Sequence, residues 1–265
     1  MQFIVEGYPA YAYTGGRPFA ASERAVVFVH GAAFDHSVWQ WQSRYFAWHG
    51  LPVLALDLPA HGRSPGAIRT SVESLARWLL AFLDAAGLAR AALVGHSMGG
   101  LVTLELALRQ PARISRLALL GASIPMPVGD AFLAAARDDS PAALDMEATW
   151  GHARGVLLAA SAVPGASLLG ASRRLNGRSR RGVLAADLAA CAAYRPAAEA
   201  LAGLAMPTLV VAGKRDQMTP WKAGKALAER IPGSRFVPVD AGHSMMSEAP
   251  RDVLWALREF LAGSG

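Results

Sequence analysis

The chain has 265 residues, 53% of them hydrophobic and 17% charged, which is enough apolar surface for one sizeable core and too much for a disordered chain. A formal charge of +6 raises nucleic acid or an anionic membrane as a partner, but the basic residues are scattered rather than interleaved with aromatics in one stripe, so neither is expected. The single cysteine, Cys191, excludes an internal disulfide and, with no partner ligands around it, a structural zinc site; it reads as a small apolar residue on a helix. The N-terminus lacks a basic start followed by an apolar stretch of signal-peptide length, and no segment offers about 20 uninterrupted apolar residues, so a soluble, cytoplasmic protein is expected.

In chain order, the first 24 residues read as an antiparallel hairpin on a sheet edge, turning at Gly15-Gly16. Strands are predicted at AVVFV (25–29), PVLAL (52–56), AALV (91–94), LALL (117–120), PTLVVA (207–212) and RFVPV (235–239), with longer helical stretches between them. Thr70 and Glu73 predict a capping box before LARWLLAFLDAA, which Gly87 closes, and Pro111 ends a helix that begins near Met98. Alternating strands and helices imply an α/β fold, a mostly parallel sheet with helices on both faces. Strands then cease until Pro207. The Ala-, Leu-, Gly- and Pro-rich stretch 122–203, with helical pieces such as DAFLAAARDD, PAALDMEATWGHARGVLLAA and RGVLAADLAACAAY, reads as a helical lid inserted into a core domain of residues 1–121 and 204–265. Arg173, Arg174, Arg178, Arg180 and Arg181 read as a solvated or disordered loop, with an anion-binding patch the alternative.

The strongest chemical signal is Gly95-His96-Ser97-Met98-Gly99, directly after a predicted strand and directly before a predicted helix. This is a G-x-S-x-G elbow, in which a strained turn lifts the serine hydroxyl from the sheet edge and glycines avoid crowding nearby backbone. A serine hydroxyl needs a base. Of seven histidines, His243 fits best, because its loop, Asp240-Ala241-Gly242-His243-Ser244, follows the last strand and opens on the same sheet edge as Ser97. The imidazole needs a carboxylate, and Asp216 follows the strand PTLVVA by a short turn; its rival is Asp240. Oxyanion donors are expected from the backbone N–H of Met98 and, after AVVFV, of Ala32 in preference to Ala33. Phe34, Trp39 and Met245, apolar neighbours of these loops, are candidate pocket walls. No metal, nucleotide or flavin is implied: there is no phosphate-cradling glycine loop, and the histidines are not spaced as ligands on one element.

Taken together, VHGAAFDHSVW (29–39), ALDLPAHGRS (55–64), LVGHSMGG (93–100), VVAGKRDQMTP (210–220) and DAGHSMMSEAP (240–250) closely resemble the α/β-hydrolase family in the family's order, with the lid region the exception. The resemblance implies a sheet of about eight strands. It also matches Ser97, Asp216 and His243 to the family triad, and Asp57 with His61-Gly62-Arg63-Ser64 to a loop that is mainly structural there. Serine at the nucleophile disfavours the haloalkane dehalogenases and epoxide hydrolases of this fold, which carry aspartate. The expected function is hydrolysis of a small, largely apolar ester or related acyl compound through an acyl-Ser97 intermediate, with no cofactor. A carbon–carbon bond hydrolase or lyase on the same triad, or a slow-turnover ligand sensor, are the alternatives.

Overall fold

In the computed structural model, which describes residues 1–158 and 167–262, eight strands form one sheet in the order β1-β2-β4-β3-β5-β6-β7-β8. The strands are β1 (Gln2–Val5), β2 (Tyr8–Tyr13), β3 (Val26–Val29), β4 (Val53–Leu56), β5 (Ala91–His96), β6 (Ile114–Leu120), β7 (Thr208–Gly213) and β8 (Arg235–Val239). From β4 to β8 every neighbouring pair is parallel, while β1 and β2 run antiparallel at one edge. The hairpin therefore exists, but it turns at Glu6-Gly7, both at positive φ, and not at Gly15-Gly16. Gly15 has a different task. Its positive φ and the 2.4 Å that would separate a Cβ from both Ala47 Cβ and the Ser43 carbonyl bring the chain flush against the first helix.

Period-two alternation covers both faces of the sheet. Val27 and Val29 of β3 and Leu54 and Leu56 of β4 face one core with the helices α2 (Val72–Ala85), α3 (Met98–Arg109) and α10 (Trp221–Glu229). Val26, Phe28, Val53 and Ala55 face the other, under α1 (Gln40–Trp48) and α12 (Pro250–Ala262). Each fully buried Leu, Val or Phe side chain stabilises the fold by about 1.5–3 kcal/mol in transfer free energy. The cap of α2 sits one residue later than expected: Ser71, in extended conformation, accepts from Ser74 N–H, and Glu73 lies in the first turn where its charge favours the helix N-terminus. Gly87, at φ +68°, terminates it. No helix among the described residues is long and apolar enough to cross a membrane.

Between β6 and β7 the chain forms α4 (Asp130–Arg137), α5 (Pro141–Trp150), α6 (Arg154–Leu158), α7 (Leu168–Asn176), α8 (Val183–Ala193) and α9 (Ala198–Ala202). Residues 159–166 of the predicted insertion, including the end of its second helical piece, lie outside the described residues; the rest of that piece breaks at Gly151-His152-Ala153 into α5 and α6. A third apolar cluster joins Phe132 and Ala136 of α4, Ala143 of α5 and Leu184 and Leu188 of α8 to Ala33 and Met218 on the core's loops, so these helices rest on the edge where the parallel strands end. The arginine run is not a free loop. Arg173 and Arg174 close α7, Arg173 pairs with Asp145, Arg180 donates to the Gly66 carbonyl and Arg181 pairs with Asp139. The remaining elements are α11 (Met245–Glu248) and two single turns of 3-10 helix, His36–Trp39 and Pro111–Arg113.

Candidate active site

Parallel strands end at one edge, so the loops after β3, β5, β7 and β8 open side by side there. Ser97 directly follows β5 with φ 53° and ψ −119°, a left-handed backbone that a non-glycine residue adopts only when its surroundings hold it. They do: Ser97 N–H donates to the Leu120 carbonyl of β6, and the Ser97 carbonyl accepts from Gly100 and Leu101 as α3 begins. The glycines are steric necessities. A Cβ at Gly95 would lie 2.3 Å from the Gly99 carbonyl oxygen and 2.5 Å from Thr103 Oγ1. The loops after β7 and β8 are tied together by Lys214 N–H to Val239 O and Arg215 N–H to Ala241 O, which brings Asp216 beside His243.

His243 Nδ1 lies 2.8 Å from Asp216 Oδ2. Oδ1 of the same carboxylate accepts from the backbone N–H groups of Met218 and Thr219, each at 2.8 Å. The Thr219 hydroxyl sits 2.7 Å from Asp216 Oδ2, 3.1 Å from the Gly121 carbonyl oxygen and 3.1 Å from His243 Nδ1, which locks imidazole and carboxylate into one set of contacts. Burial alone would raise the Asp216 pKa, but His243 and the Thr219 donors outweigh it and hold the carboxyl below its ordinary value. Burial likewise opposes charge on His243, and the Asp216 carboxylate outweighs it and raises the imidazole above 6.5. The rival carboxylate is elsewhere: Asp240 is mostly exposed and pairs with Arg215. His96, buried beside His243 and lowered to about 3 by burial and that neighbour, stays neutral; its Nε2 lies 3.0 Å from the His243 carbonyl oxygen and so donates to it.

The turn after β3 lies against the elbow, since a Cβ at Gly31 would come 3.2 Å from Ser97 Cβ. In that turn the Ala33 N–H is taken, donating to Asp187 Oδ2 at 2.9 Å, whereas Ala32 lines the same cavity as Ser97. Met98, as the first residue of α3, has an N–H with no intrahelical acceptor. Asp187, on α8, also accepts from His61 Nε2 at 2.8 Å, while His61 Nδ1 faces the Pro59 carbonyl at 2.9 Å. With an acceptor at each nitrogen, His61 can donate from both when it is protonated. Burial opposes that charge, but Asp187, by charge and by hydrogen bond, outweighs it and raises the His61 pKa above 6.5. A raised folded value stabilises the protein below the unfolded pKa and ceases to do so as pH rises through the folded one. Urea unfolding of Asp187→Asn is therefore expected to show its largest loss against the wild type below about pH 6.5, shrinking at higher pH. A loss of equal size at every pH would exclude the ion pair.

Ser97, Ala32, Thr219 and His243 open into one cavity of about 340 Å³, walled by Phe34, Met126, Val128, Phe132, Leu184 and Leu188, with Cys191 and Glu147 also lining it. Of the three predicted walls only Phe34 lines it. Trp39 is fully buried between Phe28 and the elbow side of the sheet, and Met245 is fully buried in the same core, because both belong to turns whose apolar faces point down onto the sheet instead of up into the cavity. Asp187 and Glu147 join the surroundings of the site with no sequence motif to mark them, and Thr219, inside the stretch VVAGKRDQMTP, is not among the predicted site residues. Cys191 is on α8 as expected, and burial drives its thiol pKa well above the ordinary value. Among the described residues, Asp35, His36 and Asp57 are the group that comes within reach of a single ion; their oxygens already accept from Ser37 N–H and from His36 and Arg63, which clasp the two loops together.

Comparison with known proteins gives a match of residues 24–250 to the model of the alpha/beta hydrolase fold family. A putative non-heme haloperoxidase of a Mycobacterium phage is 33% identical over 85% of this chain and 83% of its own. The 3-oxoadipate enol-lactonase 1 of Acinetobacter baylyi is 27% identical over 89% of this chain and 88% of its own. Among solved structures, the enol-lactonase of Burkholderia xenovorans superposes with a TM-score of 0.87 at 25% identity, covering 99% of this chain and 100% of that one.

Proposed function

The chain belongs to the α/β-hydrolase fold family, and on that premise we propose that it is a serine hydrolase that cleaves a small, largely apolar ester or related acyl compound, a lactone included, through an acyl-Ser97 intermediate. The observation that carries this reading is the meeting of Ser97, on its strained turn, with a buried His243–Asp216 pair at one cavity. In the proposed reaction His243 Nε2 takes the Ser97 proton while Nδ1–H remains bonded to Asp216, and the Ser97 oxygen attacks the acyl carbon. The N–H groups of Ala32 and Met98 stabilise the oxyanion, His243 returns the proton to the departing alcohol, and water repeats the sequence on the acyl-enzyme. The insertion 122–203 serves as a lid, and the 340 Å³ that its helices α4, α5 and α8 help to enclose, near the lower end of the usual range for ligand pockets, supports a small substrate.

A carbon–carbon bond hydrolase acting on an acidic diketone would need cations at the cavity, and no Lys or Arg is among its described lining residues. Steady-state and burst hydrolysis of p-nitrophenyl esters of increasing chain length, with Ser97→Ala as control, tests the proposal. Expected are many turnovers on short acyl chains that disappear in the variant. Activity that survives Ser97→Ala would sink the nucleophile assignment, and a burst without turnover would favour the sensor.

A further inference from the structure

A buried acidic residue that no step of the proposed reaction uses lines the cavity. Glu147, on α5, is 4% exposed and lines the same cavity as Ser97 and His243. Its Oε2 accepts from Asn176 Nδ2 on α7, with Ser172 Oγ 3.5 Å away, so the carboxyl is fixed by neutral donors and faces no Lys or Arg among the described residues of the cavity. Burial pushes its pKa up to about 7, with His243, Asn176 and Ser172 pulling the other way. The rest of the wall is apolar: Met126, Val128, Phe132, Leu184 and Leu188. In such surroundings the ionised form of a carboxyl with no bonded counter-ion is costly, and a cation delivered to the cavity would favour it.

We propose that Glu147 is a specificity-determining residue that binds a protonated amine on the substrate, so that the cavity selects amine-bearing esters and rejects those carrying a carboxylate. The site is the one read above as that of an acyl-Ser97 hydrolase, and the inference rests on that reading for the ester part alone. The apolar wall takes the substrate's hydrocarbon, and Glu147 supplies the directional contact. A charge-assisted hydrogen bond in a desolvated pocket is worth about tenfold or more in affinity. A substrate carboxylate in the same place meets the like charge of Glu147, with no Lys or Arg among the described lining residues to offset it.

The test uses probes that are not esters, so that it reads the pocket and not the reaction. Protein labelled with 13C in the methionine methyls is titrated with butylammonium, 1-butanol and butyrate, following Met126 and Met218, which both line the cavity. Butylammonium is expected to bind about tenfold tighter than butyrate, and Glu147→Gln, which keeps the shape and removes the charge, to bring the two within about twofold. Butyrate binding as tightly as butylammonium to the wild type, or a preference that survives Glu147→Gln, overturns the proposal. Should the variant fail to fold, the order of affinities in the wild type decides alone. If neither plain nor amine-bearing p-nitrophenyl esters are turned over while the ammonium preference holds, the hydrolase reading fails and the selectivity of Glu147 stands.

Discussion

Asp216→Asn is expected to lower kcat for ester hydrolysis by about 10⁴-fold with little change in fold, the size of loss seen when the orienting acid of a serine triad becomes an amide. The reason lies in the hydrogen bonds around that side chain. Oδ1 accepts two backbone N–H groups, from Met218 and Thr219, so an asparagine must place its carbonyl oxygen there and its NH₂ toward His243 Nδ1. An amide donor facing Nδ1 forces the proton onto Nε2, the atom that must take the Ser97 proton. The imidazole would stay in place in the wrong tautomer, and its raised pKa would fall because the negative charge that raises it is gone. Kinetics on the best p-nitrophenyl ester, with circular dichroism to check folding, measures this. A variant retaining more than about a tenth of the wild-type rate would remove Asp216 from the role.

Gly99→Ala is expected to cost about 3 kcal/mol or more, or to prevent folding, a large loss for the addition of one methyl group. A Cβ there would lie 2.4 Å from the carbonyl oxygens of both His30 and Val29. These are backbone atoms at the end of β3, a strand paired on both sides, so the clash cannot be relieved by rotating a side chain. Gly129→Ala is the control. An added methyl there would meet nothing within 4 Å, and with an ordinary φ of −64° the change should cost about 1 kcal/mol or less, the loss expected for alanine at the N-cap of α4. Urea unfolding of the two variants compares them, and equal midpoints would show that the elbow tolerates more space than its geometry allows.

Local chemistry makes much of this molecule legible in the order of its residues. The six predicted internal strands are present to within a few residues because β-branched and aliphatic runs bounded by turn formers carry their own signal. The Gly95–Gly99 pattern is equally local: the constraint that demands glycine acts within one turn and on the strand beside it. Where the signal is weaker, boundaries slip. The α2 cap lies at Ser71 instead of Thr70, since two adjacent hydroxyl residues offer the same chemistry, and the hairpin turns at Glu6-Gly7 because the first glycine to permit positive φ comes earlier than the Gly15-Gly16 pair.

Sequence by itself determined the class of the fold, the order of its strands along the chain and the residues able to meet at the ends of β3, β5, β7 and β8. Parallel strands share one edge, so loops that follow them converge without further information. Only the tertiary structure decided what surrounds those residues. Trp39 and Met245 look like pocket walls in a linear reading and are core, because orientation about the local turn sets which side of the sheet a side chain reaches. Asp187 and Glu147 look like isolated acids in apolar helices. The fold brings one to His61 and the Ala33 N–H across 126 and 154 positions of chain, and the other to Asn176 at the wall of the cavity. A buried carboxyl is tolerated only where distant partners gather around it, and sequence spacing carries no record of such partners.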